Sequence, residues 1–158
     1  VQENEEWSNL TTGAWCYYKN KSSNGKTYGK LYNWYAVNDS RGLAPKGWHV
    51  PSDKEWTQLT DYLGGYKVAC GKLKATTLWE SPNSEATNSS GFTAFPGGFR
   101  VDDGGFSYLG REGYFWSSEG GTDDAWYYRT LDYLVSGEYN DRLKFNKNYG
   151  FSVRCVKD

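Results

Sequence analysis

The chain holds one histidine and three cysteines in 158 residues, so any Ser/His/Asp or Cys/His machinery would have to be assembled on His49 alone. His49 sits between Trp48 and Val50 in an expected strand, where a hydrogen-bonded structural histidine is the commoner outcome. Cys16, Cys70 and Cys155 lack CxxC spacing, which argues against zinc. Cys70, in VACGKL, has no second cysteine and no metal-ligand partner beside it to activate a thiolate. No catalytic residue is assigned. Carboxylates cluster in VDDGG (Asp102, Asp103) and in EGGTDD (Glu119, Asp123, Asp124). Glycine-rich turns of this kind could wrap a hard cation in oxygen ligands, so calcium is the one cofactor the sequence would admit. Ordinary Asp-Gly turn chemistry explains both clusters as well and is the preferred reading, with no cofactor expected.

The other chemistry on offer is recognition. The chain carries 8 Trp, 14 Tyr and 7 Phe, and most aromatics in a small domain are core. The stretch from Tyr127 to Tyr149 is different, because there aromatic and apolar residues are mixed with Asn, Asp and Ser. Tyr, Trp, Asn and Ser together give large, rigid contact area with hydrogen-bonding capacity at low entropic cost, the composition of evolved recognition surfaces. With 18 basic and 19 acidic residues the formal charge is −1, so bulk electrostatics steer the chain toward neither nucleic acid nor an anionic membrane. No apolar run approaches the ~20 residues needed to cross a bilayer.

These residues need elements to hold them. The clearest local signal is GWHVPSDKEWTQLTDYLGG, in which Ser52 and Glu55 form a capping box, Trp56, Leu59, Thr60 and Leu63 share a face, and Gly64 and Gly65 stop the helix; the spacing predicts a helix from Asp53 to Leu63. A shorter amphipathic helix is expected in KLYNWYAVN, from Leu31, Trp34, Tyr35 and Asn38. AWCYY reads as a strand followed by a polar Asn-Gly turn. Residues 67–91 read as a long connection with a helical turn at its start. After that, short strands dominate: FTAFPGGFRV turned by DDGG into FSYLG, then GYFWSSE, AWYYRTLDYL, a pairing segment near EYNDRLKF, and GFSVRCV, in which Phe151, Val153 and Cys155 alternate inward. Two helices first and a mainly antiparallel sheet afterwards make an α+β domain over residues 1–158.

The segments YGKLYNWYAV, GLAPKGWHVPSDKEWTQLTDYLGG, TNSSGFTAFPGGFR, GYFWSSE, AWYYR and GFSVRCVKD, in that order, resemble the Fibrobacter succinogenes major paralogous domain over essentially the whole chain. That family is similar, more distantly, to the formylglycine-generating-enzyme branch of the C-type lectin fold and to the variable proteins of diversity-generating retroelements. The resemblance implies a C-type lectin-like domain: two helices flanking a small twisted sheet, with long loops and neighbouring termini. It further implies a secreted or cell-surface bacterial protein without established enzymatic activity, so a leader is expected to precede VQENEEW. It makes Trp126, Arg129, Leu131, Tyr133, Arg142, Lys147 and 150–155 a framework. The residues between them, Tyr127, Thr130, Asp132, Leu134, Ser136, Asp141, Leu143, Phe145, Asn146, Asn148 and Tyr149, become a binding face for a protein or glycan ligand. Calcium-dependent sugar motifs of the Glu-Pro-Asn and Trp-Asn-Asp kinds are absent. Neighbouring termini would also bring the AWCYY strand beside the last strand, where Cys16 and Cys155 could be bridged. The alternatives are a structural module of a larger surface protein and an enzyme related to the formylglycine-generating branch.

Overall fold

The computed structural model describes residues 1–120, 126–135 and 146–158. Within them lie five α-helices, α1 (Asn4–Ser8), α2 (Ser22–Tyr28), α3 (Trp34–Val37), α4 (Asp53–Tyr62) and α5 (Tyr66–Leu73). The strands are β1 (Trp15–Cys16), β2 (Leu31–Tyr32), β3 (Trp48–His49), β4 (Phe99–Arg100), β5 (Phe106–Ser107), β6 (Glu112–Gly120), β7 (Trp126–Asp132) and β8 (Val156–Lys157). They pair antiparallel as β1–β2, β3–β8, β4–β5 and β6–β7. The result is an α+β domain of short antiparallel sheets, with more and shorter helices than the two expected.

α4 forms where its local signals put it. Ser52 Oγ accepts from Glu55 N–H at 3.2 Å and Glu55 Oε2 accepts from Ser52 N–H at 2.8 Å, so two otherwise orphaned donors of the first turn are satisfied. The helix expected from Leu31 starts three residues later, because Leu31 and Tyr32 are taken by pairing with β1 and Asn33 caps α3. Asn33 is fully buried and its Oδ1 also accepts from Ala14 N–H at 2.8 Å, which ties the cap to the chain before β1. The Asn24-Gly25 turn does not form; the segment is α2. A Cβ at Gly25 would collide with the Tyr17 ring, so this glycine is there for close packing and not for a turn. α5 replaces the single helical turn expected after Gly65, burying Ala69, Cys70 and Leu73.

Three buried clusters make the interior. One joins α4 and α5 to Trp79, Ala94, Phe115 and Leu131. A second holds Trp34, Val50, Phe99, Trp116 and Phe151, and a third Trp7, Cys16, Tyr18 and Leu31. The β6–β7 hairpin separates the first two. Phe115 and Trp116 are sequence neighbours on opposite faces of β6, and each is buried in a different cluster.

The segment at 150–152 stitches the pairs together. Gly150 exchanges backbone hydrogen bonds with Arg100 of β4, Phe151 with Tyr32 of β2, and Ser152 lies between Tyr114 and Trp116 of β6. A Cβ on Gly150 would lie 3.0 Å from both the Arg100 and Trp7 side chains, so a larger residue would push these neighbours back by a few tenths of an ångström. The expected continuous last strand is therefore a series of single bridges, with β8 beyond it on β3. That topology overturns the Cys16–Cys155 bridge: β1 is covered by β2 and not by the last strand, and all three thiols are free.

Candidate functional site

Of the residues expected on a binding face, the described ones lie in β7, just after it, and at 146–149. Tyr127 (its side chain), Ser136, Asp141, Leu143 and Phe145 lie outside the described residues, as do Asp123 and Asp124. In β7 the backbone register sets the rest. Arg129 and Leu131 stand opposite Phe115 and Gly113 and turn toward α4 and α5, both buried. Arg129 is locked there: its guanidinium pairs with Asp53 Oδ1 at 2.8 Å and donates to Asp53 O and Thr57 Oγ1, each at 3.1 Å. Thr130, opposite Tyr114, turns to the other face and is buried too, because that face is covered by the second cluster. Asp132 closes a turn by accepting Leu134 N–H at 2.6 Å. Leu134 is 55% exposed, and Asn146 is exposed as well.

The chain leaves β7 through a polar cage that the residue types do not advertise. Lys74, fully buried at the end of α5, donates from Nζ to Asp132 O at 2.9 Å, Val135 O at 3.0 Å and Ser84 O at 3.0 Å. Three carbonyls match the three N–H bonds of an ammonium group. Burial nevertheless holds this amine below the ordinary lysine range, with Cys70 and Asp132 pulling the other way. Cys70, one helical turn earlier, directs its thiol at Val135 O at 3.6 Å.

The chain re-enters through a second cage. Asn148, proposed for the face, is buried; its Nδ2 donates to Trp7 O at 3.1 Å and Ser8 O at 2.7 Å, and its own carbonyl accepts from Trp7 Nε1 at 2.6 Å. Lys147 O accepts from Trp34 N–H at 2.9 Å. Tyr149 is half-buried, its ring 5.9 Å from those of Phe99 and Phe151. The N-terminal segment that supplies Trp7 is itself held by Arg100. That fully buried guanidinium donates to the carbonyls of Val1 and Gln2 at 2.9 Å each and lies 4.3 Å over the Trp7 ring. Residues 136–145 are thus bracketed by anchors whose donors and acceptors come from other parts of the chain.

The remaining chemistry-bearing residues are placed as follows. His49 is clamped between two carboxylates, Nε2 against Glu55 Oε1 at 2.8 Å and Nδ1 against Asp158 Oδ1 at 2.7 Å. Hydrogen bonds that the ring donates to Asp158 foremost and then to Glu55 raise its pKa above the usual value, while the Ser52 backbone N–H foremost lowers that of Glu55. Asp103 Oδ1 accepts Gly105 N–H at 2.8 Å in the β4–β5 turn, and Glu119 Oε2 accepts from Asp53 N–H at 3.3 Å. Among the described residues no group of three or more His, Cys, Asp or Glu is arranged to hold a metal ion, Asp102, Asp103 and Glu119 included.

No helix among the described residues is long and apolar enough to cross a membrane. No curated protein and no solved structure matches the chain. The model of the Fibrobacter succinogenes major domain matches residues 1–157, from the anchored N-terminal segment through the stitching residues 150–152 to β8. The chain belongs to the Fibrobacter succinogenes major domain family.

Proposed function

We propose that this domain is a non-catalytic recognition module of a secreted or cell-surface bacterial protein, a C-type lectin-like scaffold that presents residues 136–145 and their flanks to a protein or glycan ligand. One observation carries the reading: both ends of that segment are tied down by side chains from outside it, Lys74 at the exit and Asn148 with Trp7 at the return. A segment anchored this way can change sequence without removing the groups that hold the scaffold. Leu134 and Asn146, exposed beside the anchors, extend the face. In this reading binding uses aromatic anchors and short polar groups and needs no metal.

The test pairs stability with binding. Asp141, Leu143 and Phe145 are changed together to Ser, Ser and Ala, and the variant is compared with wild type in thermal unfolding and on a glycan and surface-protein array. The expected outcome is a midpoint shift equivalent to no more than about 0.5 kcal/mol per substitution, with loss of the array signal. A large loss of stability, or a bound partner indifferent to the changes, sinks the assignment. A wild-type array that stays blank for all partners favours the structural-module reading.

A further inference from the structure

A second candidate site is lined by none of the residues of the recognition face. α4, the chain at Phe92 and residues 154–156 enclose a cavity of about 250 Å³. Its walls are apolar: Pro51, Trp56, Leu59, Phe92 and Val156. Arg154 crosses it, with its guanidinium 4.4 Å over the Phe92 ring and one Nη donating to Phe92 O at 2.9 Å. A guanidinium offers five N–H groups in a planar fork, and no carboxylate among the described residues pairs with this one. The acid in the lining and the other acid on His49 are both committed to that histidine. Glu55, which lines the cavity, gives one oxygen to His49 and the other to the Ser52 N–H and hydroxyl. Asp158 holds the opposite nitrogen of His49.

We propose that this cavity binds a small apolar carboxylate, its hydrocarbon part against Trp56, Leu59 and Phe92 and its carboxylate on the free edge of Arg154. Charge decides the anion: Glu55, the carboxylate in the lining, is already bonded to His49 and Ser52, which leaves the guanidinium of Arg154, in no salt bridge among the described residues, as the group complementary to a carboxylate, which its fork can take by two parallel hydrogen bonds. Volume decides the size. Drug-sized ligands occupy roughly 300–1,000 Å³, so about 250 Å³ holds one ring or one short branched chain. Two sources share this chemistry: a free acid, and the last residue of a peptide ending in an apolar side chain. Cys155 supplies a built-in reporter, because its half-buried thiol lies on the same cavity while Cys16 and Cys70 are buried elsewhere.

The experiment titrates isotope-labelled protein with phenylacetate and with phenylacetamide, following the backbone amides of Leu59, Phe92 and Val156, and in parallel with N-acetyl-Gly-Phe and its C-terminal amide. The expected result is saturable binding of an acid with Kd about 1 mM or tighter, at least about tenfold weaker for the matching amide. Bound acid should also slow alkylation of Cys155 by iodoacetamide. Arg154→Gln, a change at an exposed side chain, should erase the preference for the acid, and Leu59→Trp should fill the cavity. Binding of phenylacetate alone assigns a free acid, and tighter binding of the peptide acid assigns a C-terminal residue. The proposal is overturned if no acid gives saturable shifts at those amides, if acid and amide bind equally, or if Arg154→Gln leaves the preference intact. None of these outcomes depends on residues 136–145, so this site and the recognition face stand or fall separately.

Discussion

At the scale of single residues, the molecule relies on polar side chains in its interior. Lys74 donates to three backbone carbonyls and Asn148 to two. Lys74→Met keeps the volume and removes the donors, and Asn148→Ala removes both volume and donors. An unsatisfied buried carbonyl costs about 1–3 kcal/mol, so each change should lower the denaturant midpoint by the equivalent of at least about 2 kcal/mol. A loss within the roughly 0.5 kcal/mol of an ordinary surface change would show that the cages are dispensable. His49 makes a prediction in pH. Its folded pKa is raised, so its contribution is fully present below the ordinary value of 6.5 and is lost as pH rises through the higher folded value. The pKa of Glu55 is lowered, so its contribution is present above the ordinary 4.5 and is lost as pH falls through the lower folded value. The clamp is therefore strongest between those two ordinary values. As the sole histidine, His49 gives one C2–H resonance, whose titration midpoint should lie above 6.5 and fall in both Glu55→Gln and Asp158→Asn; a midpoint at or below the ordinary value would refute the clamp.

At the scale of elements, two kinds of local rule are at work. α4 obeys the first, with a complete capping box at its start and Trp56 and Thr60 on its buried side. Ser52→Ala should cost about 1 kcal/mol in urea unfolding, the usual loss for an N-cap hydroxyl, whereas Ser52→Asp, which still caps, should cost less; equal losses would mean that the cap contributes nothing specific. The β6–β7 hairpin shows the limit of the second rule. Period-2 alternation correctly separates Arg129 and Leu131 from Thr130, but it carries no information on whether the second face meets water. Here it meets Tyr114, Trp116 and the second cluster, so Thr130 is interior despite its place in the alternation.

At the scale of the whole molecule, the segment at 150–152 joins β2, β4 and β6, and Phe151 is the side chain at that junction. It is fully buried, 4.4 Å from the Trp116 ring and 5.0 Å from that of Tyr114. Phe151→Ala should cost about 3–5 kcal/mol, the range for a buried aromatic, and Tyr149→Ala, half-buried beside it, should cost less than that but more than the roughly 0.5 kcal/mol of a surface change. Thermal unfolding of the two variants in one buffer decides it. If Tyr149→Ala were silent, the ring would be free to serve the face. If it equalled Phe151→Ala, Tyr149 would be core alone.

What the sequence determined by itself is local or periodic: the start of α4 from Ser52 and Glu55, the inward turn of Phe151, and family membership from six ordered segments. Tertiary structure alone decided which polar residues are inside. Lys74 meets carbonyls 58 and 61 residues away, and Asn148 meets Trp7 across 141 residues. In a one-dimensional pattern a lysine or an asparagine scores as solvent-facing, and its burial depends on acceptors that distant backbone supplies only after the chain has closed. The same holds for α2, where an Asn-Gly pair that favours a turn locally is overruled by the Tyr17 ring seated against Gly25. Local propensities are worth up to about 1 kcal/mol per residue, and a packed aromatic or a satisfied buried donor outweighs them.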